Sequence, residues 1–289
     1  MTGLRILCFL FIVPLLPAAE APPDAATVEK LLSTMRDAAK AYDSKLPDFI
    51  CTQITHRETR REVEQVGGVH TSGRGGASIP GVGGSDGNWK TLDSIEQQLT
   101  YFGHKETYKV VAVNGRPVKS DKAVDPGMTS SGEFGSTLGG IFDPLSHAEF
   151  KWDRWDKLRG VAVYVFSYSI TKENSNAMLS AGPARLVAGY HGLIFVDREA
   201  GTIARVTTAA DVPPDFPLQN VTHVLDYGMA TIAGERFLLP LRSEMESRAT
   251  KEFVDNGRIG GNSPLVTFRN TIDFKGYRKY GVESVIRPE

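Results

Sequence analysis

The stretch DAATVEKLLSTMRDAAKAYDSKLPDFICTQITHRE, residues 24–58, changes its period in the middle, and that change decides the fold. Over 24–44 the apolar positions Val28, Leu31, Leu32, Met35, Ala38 and Ala39 recur every three or four residues, the stripe of an amphipathic helix. Asp24, after the Pro22-Pro23 pair, is a residue type that caps helix N-termini by accepting a backbone N–H. Glu29, Lys30, Arg36, Asp37 and Lys40 supply the solvated face. Leu46-Pro47 ends the helix, because proline disfavours helical backbone in the residue before it. From Phe49 to Glu58 the period drops to two, as in a half-buried strand.

Downstream the period-two signal persists. Residues 92–101 and 106–113 read as strands, the second running into Asn114-Gly115, a pair suited to the positive φ angles of a tight hairpin turn. Residues 130–141 suggest a short helix weakened by Gly135 and Gly139, and 147–152 a further strand. In 161–170, Val161, Val163 and Val165 point to one face and Tyr164, Phe166, Tyr168 and Ile170 to the other, so both faces are expected to be covered. Hairpins follow at 185–196 with 202–209 and at 221–230 with 235–248. A last alternating strand occupies 265–274, with Val266, Phe268, Asn270, Ile272 and Phe274 on one side.

Strands in succession without crossover helices exclude a doubly wound nucleotide-binding sheet. The expected fold class is α+β: a strongly curved antiparallel sheet, a half-barrel meander, with the N-terminal amphipathic helix packed against it and a short inserted helix. Residues 22–289 are expected to form a single domain, carrying a flexible Gly- and Ser-rich loop at 66–88 with few apolar anchors.

Upstream, Arg5 precedes an apolar run at 6–16, followed by small Ala18, Ala19 and Ala21. That is the order of a cleaved signal peptide, here 1–21. The run is far shorter than the ~20 residues a bilayer span requires, and Pro14 interrupts it. The protein is therefore expected to be exported, periplasmic or extracellular, with no transmembrane segment after cleavage. Lys and Arg number 33 against 34 Asp and Glu, a net charge of −1 that argues against a nucleic-acid surface. Cys8 leaves with the signal, so the mature chain keeps only Cys51 and cannot form an internal disulfide. On its strand Cys51 shares a face with Phe49 and is expected to be a small buried hydrophobe.

No catalytic constellation emerges. Gly83-Gly84-Ser85-Asp86-Gly87 matches the string of serine hydrolases but lacks the flanking strand and helix that make a nucleophile elbow. The histidines His56, His70, His104, His147, His191 and His223 fall at no zinc-ligand spacing, and no cofactor or metal is expected. Trp152-Asp153-Arg154-Trp155-Asp156-Lys157 places carboxylates beside tryptophans, as glycosidase clefts do, but is expected to be a solvated turn.

The segments Leu46-Pro47-Asp48-Phe49-Ile50-Cys51-Thr52 and Tyr190-His191-Gly192-Leu193-Ile194-Phe195-Val196-Asp197 resemble uncharacterised secreted bacterial proteins, as do Phe237-Leu238-Leu239-Pro240 and the terminal Phe274, Tyr277 and Tyr280. The order of signal, helix and long meander remotely resembles the outer-membrane lipoprotein carrier and lipoprotein-sorting superfamily. That resemblance implies a hollow that holds acyl chains or a partner segment, and the 66–88 insertion departs from the compact carriers. Two non-catalytic functions stay open: a carrier of an apolar ligand, and a module that binds an envelope protein. For a carrier, the wall is expected at Tyr164, Phe166 and Tyr168. The competing expectation is that these rings fill the core against the N-terminal helix.

Overall fold

The computed structural model describes residues 21–61, 88–118, 128, 132–250 and 265–281. The expected signal segment up to residue 20, most of the expected 66–88 loop and the Ser85 string lie outside the described residues.

Helix α1, Ala25–Lys45, starts where the sequence places it. The Asp24 carboxylate accepts the Thr27 N–H at 2.7 Å, and hydrogen bonding from the Thr27 side chain, with that backbone bond second, holds its pKa below the usual value. Leu32, Met35, Ala39 and Tyr42 are buried, one helical stripe facing the sheet. The strands are β1 (Phe49–Arg61), β2 (Lys90–Phe102), β3 (Lys105–Val113), β4 (Arg116–Pro117), β5 (Glu149–Leu158), β6 (Val161–Ile170), β7 (Met178–Ala181), β8 (Ala184–Val187), β9 (Tyr190–Asp197), β10 (Ile203–Ala210), β11 (Leu218–Ile232), β12 (Glu235–Thr250) and β13 (Leu265–Lys279). Eleven of them form one sheet in the order β4-β3-β2-β1-β13-β12-β11-β10-β9-β6-β5, and every pairing is antiparallel.

The sheet departs from a simple meander. The first strand pairs with the last: Phe49 stands opposite Lys279 and Arg61 opposite Val266. β7 and β8 leave the sheet as a separate hairpin, so β6 pairs directly with β9. The strand expected over 185–196 is thus two strands, parted at Ala188-Gly189, where a Cβ on Gly189 would lie 3.0 Å from the Lys172 nitrogen. The sheet is open, with β4 and β5 at its ends, and it is neither closed nor strongly curled. Helix α2, Ser136–Phe142, begins six residues later than expected, after Gly132 and Gly135 at positive φ. The Asn114-Gly115 turn has the expected positive φ at both positions, 50° and 70°.

One apolar cluster joins α1, α2 and the helix-side face of the sheet. Phe49, Leu99, Phe134, Phe166, Ile194 and Leu239 are wholly buried in it, each large side chain contributing about 1.5–3 kcal/mol by leaving water. Val163 and Val165 face the other way, into a small cluster with Leu158 and Phe195, so the expected alternation of β6 is present.

Candidate functional site

At the β5 end of the sheet the helix-side face carries a run of aromatic rings. Phe166 is fully buried and meets Trp152 edge to face at 5.6 Å. Tyr164 is half-buried, its ring 5.1 Å from Trp155 and 6.2 Å from Trp152. The two tryptophans share this face although three residues apart, because a bulge admits Asp153 as an extra residue: Trp152 opposes Phe166, and Trp155 opposes Tyr164. The expected solvated turn at 152–157 is therefore part of an edge strand, since the bulge masks its alternation. Arg198 stacks its guanidinium 4.2 Å above Trp155 and 5.5 Å from Tyr164. The Trp155 indole N–H donates to the carbonyl of Ala21 at 2.8 Å, which brings the chain before α1 to this edge.

Tyr168, the third expected wall residue, is buried. Its hydroxyl donates to the Thr207 carbonyl at 3.0 Å and lies 2.8 Å from the Thr208 hydroxyl. Burial raises its pKa above the tyrosine value. Across the sheet it also borders a depression of about 280 Å³ with Ser169, His191 and Gly192. There His191 Nδ1 lies 3.0 Å from Asp211 Oδ1, both side chains exposed.

Away from the aromatic end, the helix-side face turns polar. Along β1 it runs Phe49, Cys51, Gln53, Thr55, Arg57, all buried. Arg57 is held by Asp93, with Nε 2.7 Å from Oδ1 and Nη2 on Oδ2. Asn270 donates to the Met128 carbonyl at 2.6 Å, and Ser247 to the Met128 sulfur at 3.0 Å. His223 shares a 2.7 Å hydrogen bond with Ser243, and burial pushes its pKa down to about 4. Between this region and α2, Glu106 accepts the N–H groups of Gly132 and Phe134, each at 3.2 Å, and the hydroxyl of Tyr108. Glu133 is buried beside them. Cys51 is buried as expected, and burial, with the Glu106 charge second, pushes its thiol up to about 12.

Sequence reasoning missed Gln53, Arg57, Glu106 and Glu133. For Gln53, Arg57 and Glu106 the available signal was a polar residue on an otherwise alternating strand; Glu133 lies in the turn before α2, where no alternation could mark it. Among the described residues no group of three His, Cys, Asp or Glu could hold a metal, and no helix is long and apolar enough to cross a membrane.

No family model matches the chain, and no curated protein matches its sequence. Among solved structures the chain remotely resembles a LolA superfamily protein from Nitrosomonas europaea: 9% identity, 90% of this chain and 97% of that one covered, TM-score 0.37. It is similar to a DUF1329 family protein from Desulfovibrio piger at 10% identity, covering 87% and 94%, with a TM-score of 0.36. It is also similar to an outer-membrane lipoprotein-sorting protein domain from Vibrio parahaemolyticus at 12% identity, covering 89% and 95%, with a TM-score of 0.30.

Proposed function

We propose that this is an exported, non-catalytic protein of the cell envelope, periplasmic or extracellular, that carries an apolar ligand, such as a lipoprotein acyl chain, between α1 and the sheet. In this reading residues 22–289 act as a single domain, and the ligand lies against the helix-side face of its open sheet. The observation that carries it is the aromatic run at the β5 end. Trp152, Trp155 and Tyr164 are only half-buried on the helix-side face, so apolar ring surface continues outward from the buried Phe166 and Tyr168. Aromatic surface that the described residues leave partly uncovered is what an apolar ligand would take up.

Native mass spectrometry of protein purified without detergent tests this. Retained lipid, released by Trp155→Ala with Trp152→Ala, supports the carrier. An apo mass together with no binding of an apolar fluorescent probe ends it.

A second reading has its own observation. β5 is a ten-residue edge strand, and Trp155 already holds a main-chain carbonyl beside it. An envelope protein that added an extended segment there would use main-chain hydrogen bonds with the tryptophans as anchors. Pull-down of such a partner, abolished by a proline at Asp156 and indifferent to lipid, would favour this module.

A further inference from the structure

We infer that β5 is the pairing edge for a second copy of this chain: two β5 strands meet antiparallel about a two-fold axis between Asp153 and Arg154 and join the sheets of two molecules. This rests on the strand-addition reading of β5 above and names the partner.

The two ends of the sheet differ. β4, Arg116–Pro117, is two residues long and ends in proline, which has no N–H to offer. β5 has ten residues and neither proline nor glycine. Among the described residues its backbone pairs only with β6, so its other edge has no strand partner. The chain's own segment at this edge cannot complete the ladder. Ala21 accepts from the Trp155 side chain, and Pro22 and Pro23 bring no N–H.

The order of residues along β5 fits a second β5. The bulge at Asp153 puts Lys151, Arg154 and Asp156 on the face away from α1, where they oppose Ser167, Val165 and Val163. Phe150, Trp152, Trp155 and Lys157 take the helix-side face. Pairing about a two-fold axis is reciprocal: where one residue meets another, the second meets the first. With the axis between Asp153 and Arg154, Lys151 of each copy stands opposite Asp156 of the other, Asp153 opposite Arg154, and Trp152 opposite Trp155. Lys157 then stands opposite the Phe150 ring, a surface that attracts a cation.

Other registers lose this match. A slip of one residue sets the two faces against each other. The next registers set Lys151 against Arg154 or Asp153 against Asp156, like charges that repel across a strand pair. Within one chain Arg154 bonds Asp156 at 2.9 Å and also Asp153, which holds these charges along the edge before a partner arrives. The Lys151 and Asp156 side chains are 77% and 37% exposed, open to a partner. The half-buried rings of Trp152 and Trp155 gain cover from the same rings of the other copy.

Sedimentation velocity of the full-length mature protein across a wide concentration range tests this, and a reversible dimer is expected. Lys151→Asp is expected to weaken it about tenfold, since the dimer holds that contact twice. Asp156→Lys should do the same. An equimolar mixture of the two variants should restore a mixed dimer, because opposite charges meet again at both contacts. Circular dichroism confirms that each variant is folded. Should either fail to fold, Lys151→Cys combined with Asp156→Cys reads the register directly. The two positions lie about 15 Å apart along one strand, too far for an internal disulfide, so oxidation at this register links two copies. A dimer indifferent to the charge changes, or a double cysteine variant that forms no link, overturns the inference. Should the protein stay monomeric, hydrogen exchange at β5 separates the two readings. Fast exchange of its outward N–H groups overturns self-pairing alone and leaves the edge to another envelope protein; slow exchange overturns strand addition as well.

Discussion

The Tyr168 hydroxyl donates to the main-chain carbonyl of Thr207 at 3.0 Å, two strands away, across the bare backbone of Gly192. A Cβ on Gly192 would sit 1.8 Å from the Thr207 oxygen and 3.0 Å from the Tyr168 ring. Gly192→Ala is therefore expected to destabilise severely, since β9 and β10 would have to part. Tyr168→Phe keeps the ring and loses only the hydroxyl's bonds, at a cost of about 1–2 kcal/mol. Urea denaturation of the two variants should rank them in that order; an equal loss would mean that Gly192 does not set the strand approach.

Phe166→Ala separates core from wall. The ring is wholly buried, so truncation is expected to cost about 3–5 kcal/mol. Trp155→Ala, at a half-buried site, should cost much less and act mainly on probe binding. Denaturant midpoints measured beside probe titrations check both expectations.

His223 ties stability to pH. Burial places its folded pKa at about 4, below the ordinary 6.5, so the folded state resists taking up the proton. Its contribution is complete above the unfolded pKa and is lost as pH falls from 6.5 toward 4, up to about 3 kcal/mol. His223→Gln should flatten the fall in thermal midpoint across that window; an unchanged slope would place the acid sensitivity on carboxylates instead.

Glu106 joins β3 to the turn before α2 by accepting the Gly132 and Phe134 N–H groups. Glu106→Gln retains one acceptor and should cost about 1–3 kcal/mol, whereas Glu106→Leu leaves both N–H groups without that acceptor, Phe134's in a buried residue, and should cost more. Hydrogen exchange at Phe134 should speed up in both variants.

Cys51 is buried, and its thiol is pushed up to about 12. Native protein should resist an aromatic disulfide reagent at pH 8 and react at once in denaturant. Fast native labelling would show that β1 opens.

Local pattern was enough for much of this chain. The stripe from Val28 to Ala39 and the capping Asp24 determined α1, the alternation of 161–170 determined which β6 residues face the helix, and Asn114-Gly115 determined its turn, because each depends on neighbours a few residues apart. What lay beyond the sequence was non-local. Nothing in Phe49 or Lys279 announces that β1 and β13 pair across more than two hundred residues, for strand partners are chosen by the whole core rather than by either strand. The bulge at Asp153 concealed the common face of Trp152 and Trp155, since one extra residue reverses every side chain beyond it. The row of Asp93, Arg57, Asn270, Met245, His223 and Thr208 arises only when six strands are laid in register, so the tertiary structure alone assembled it.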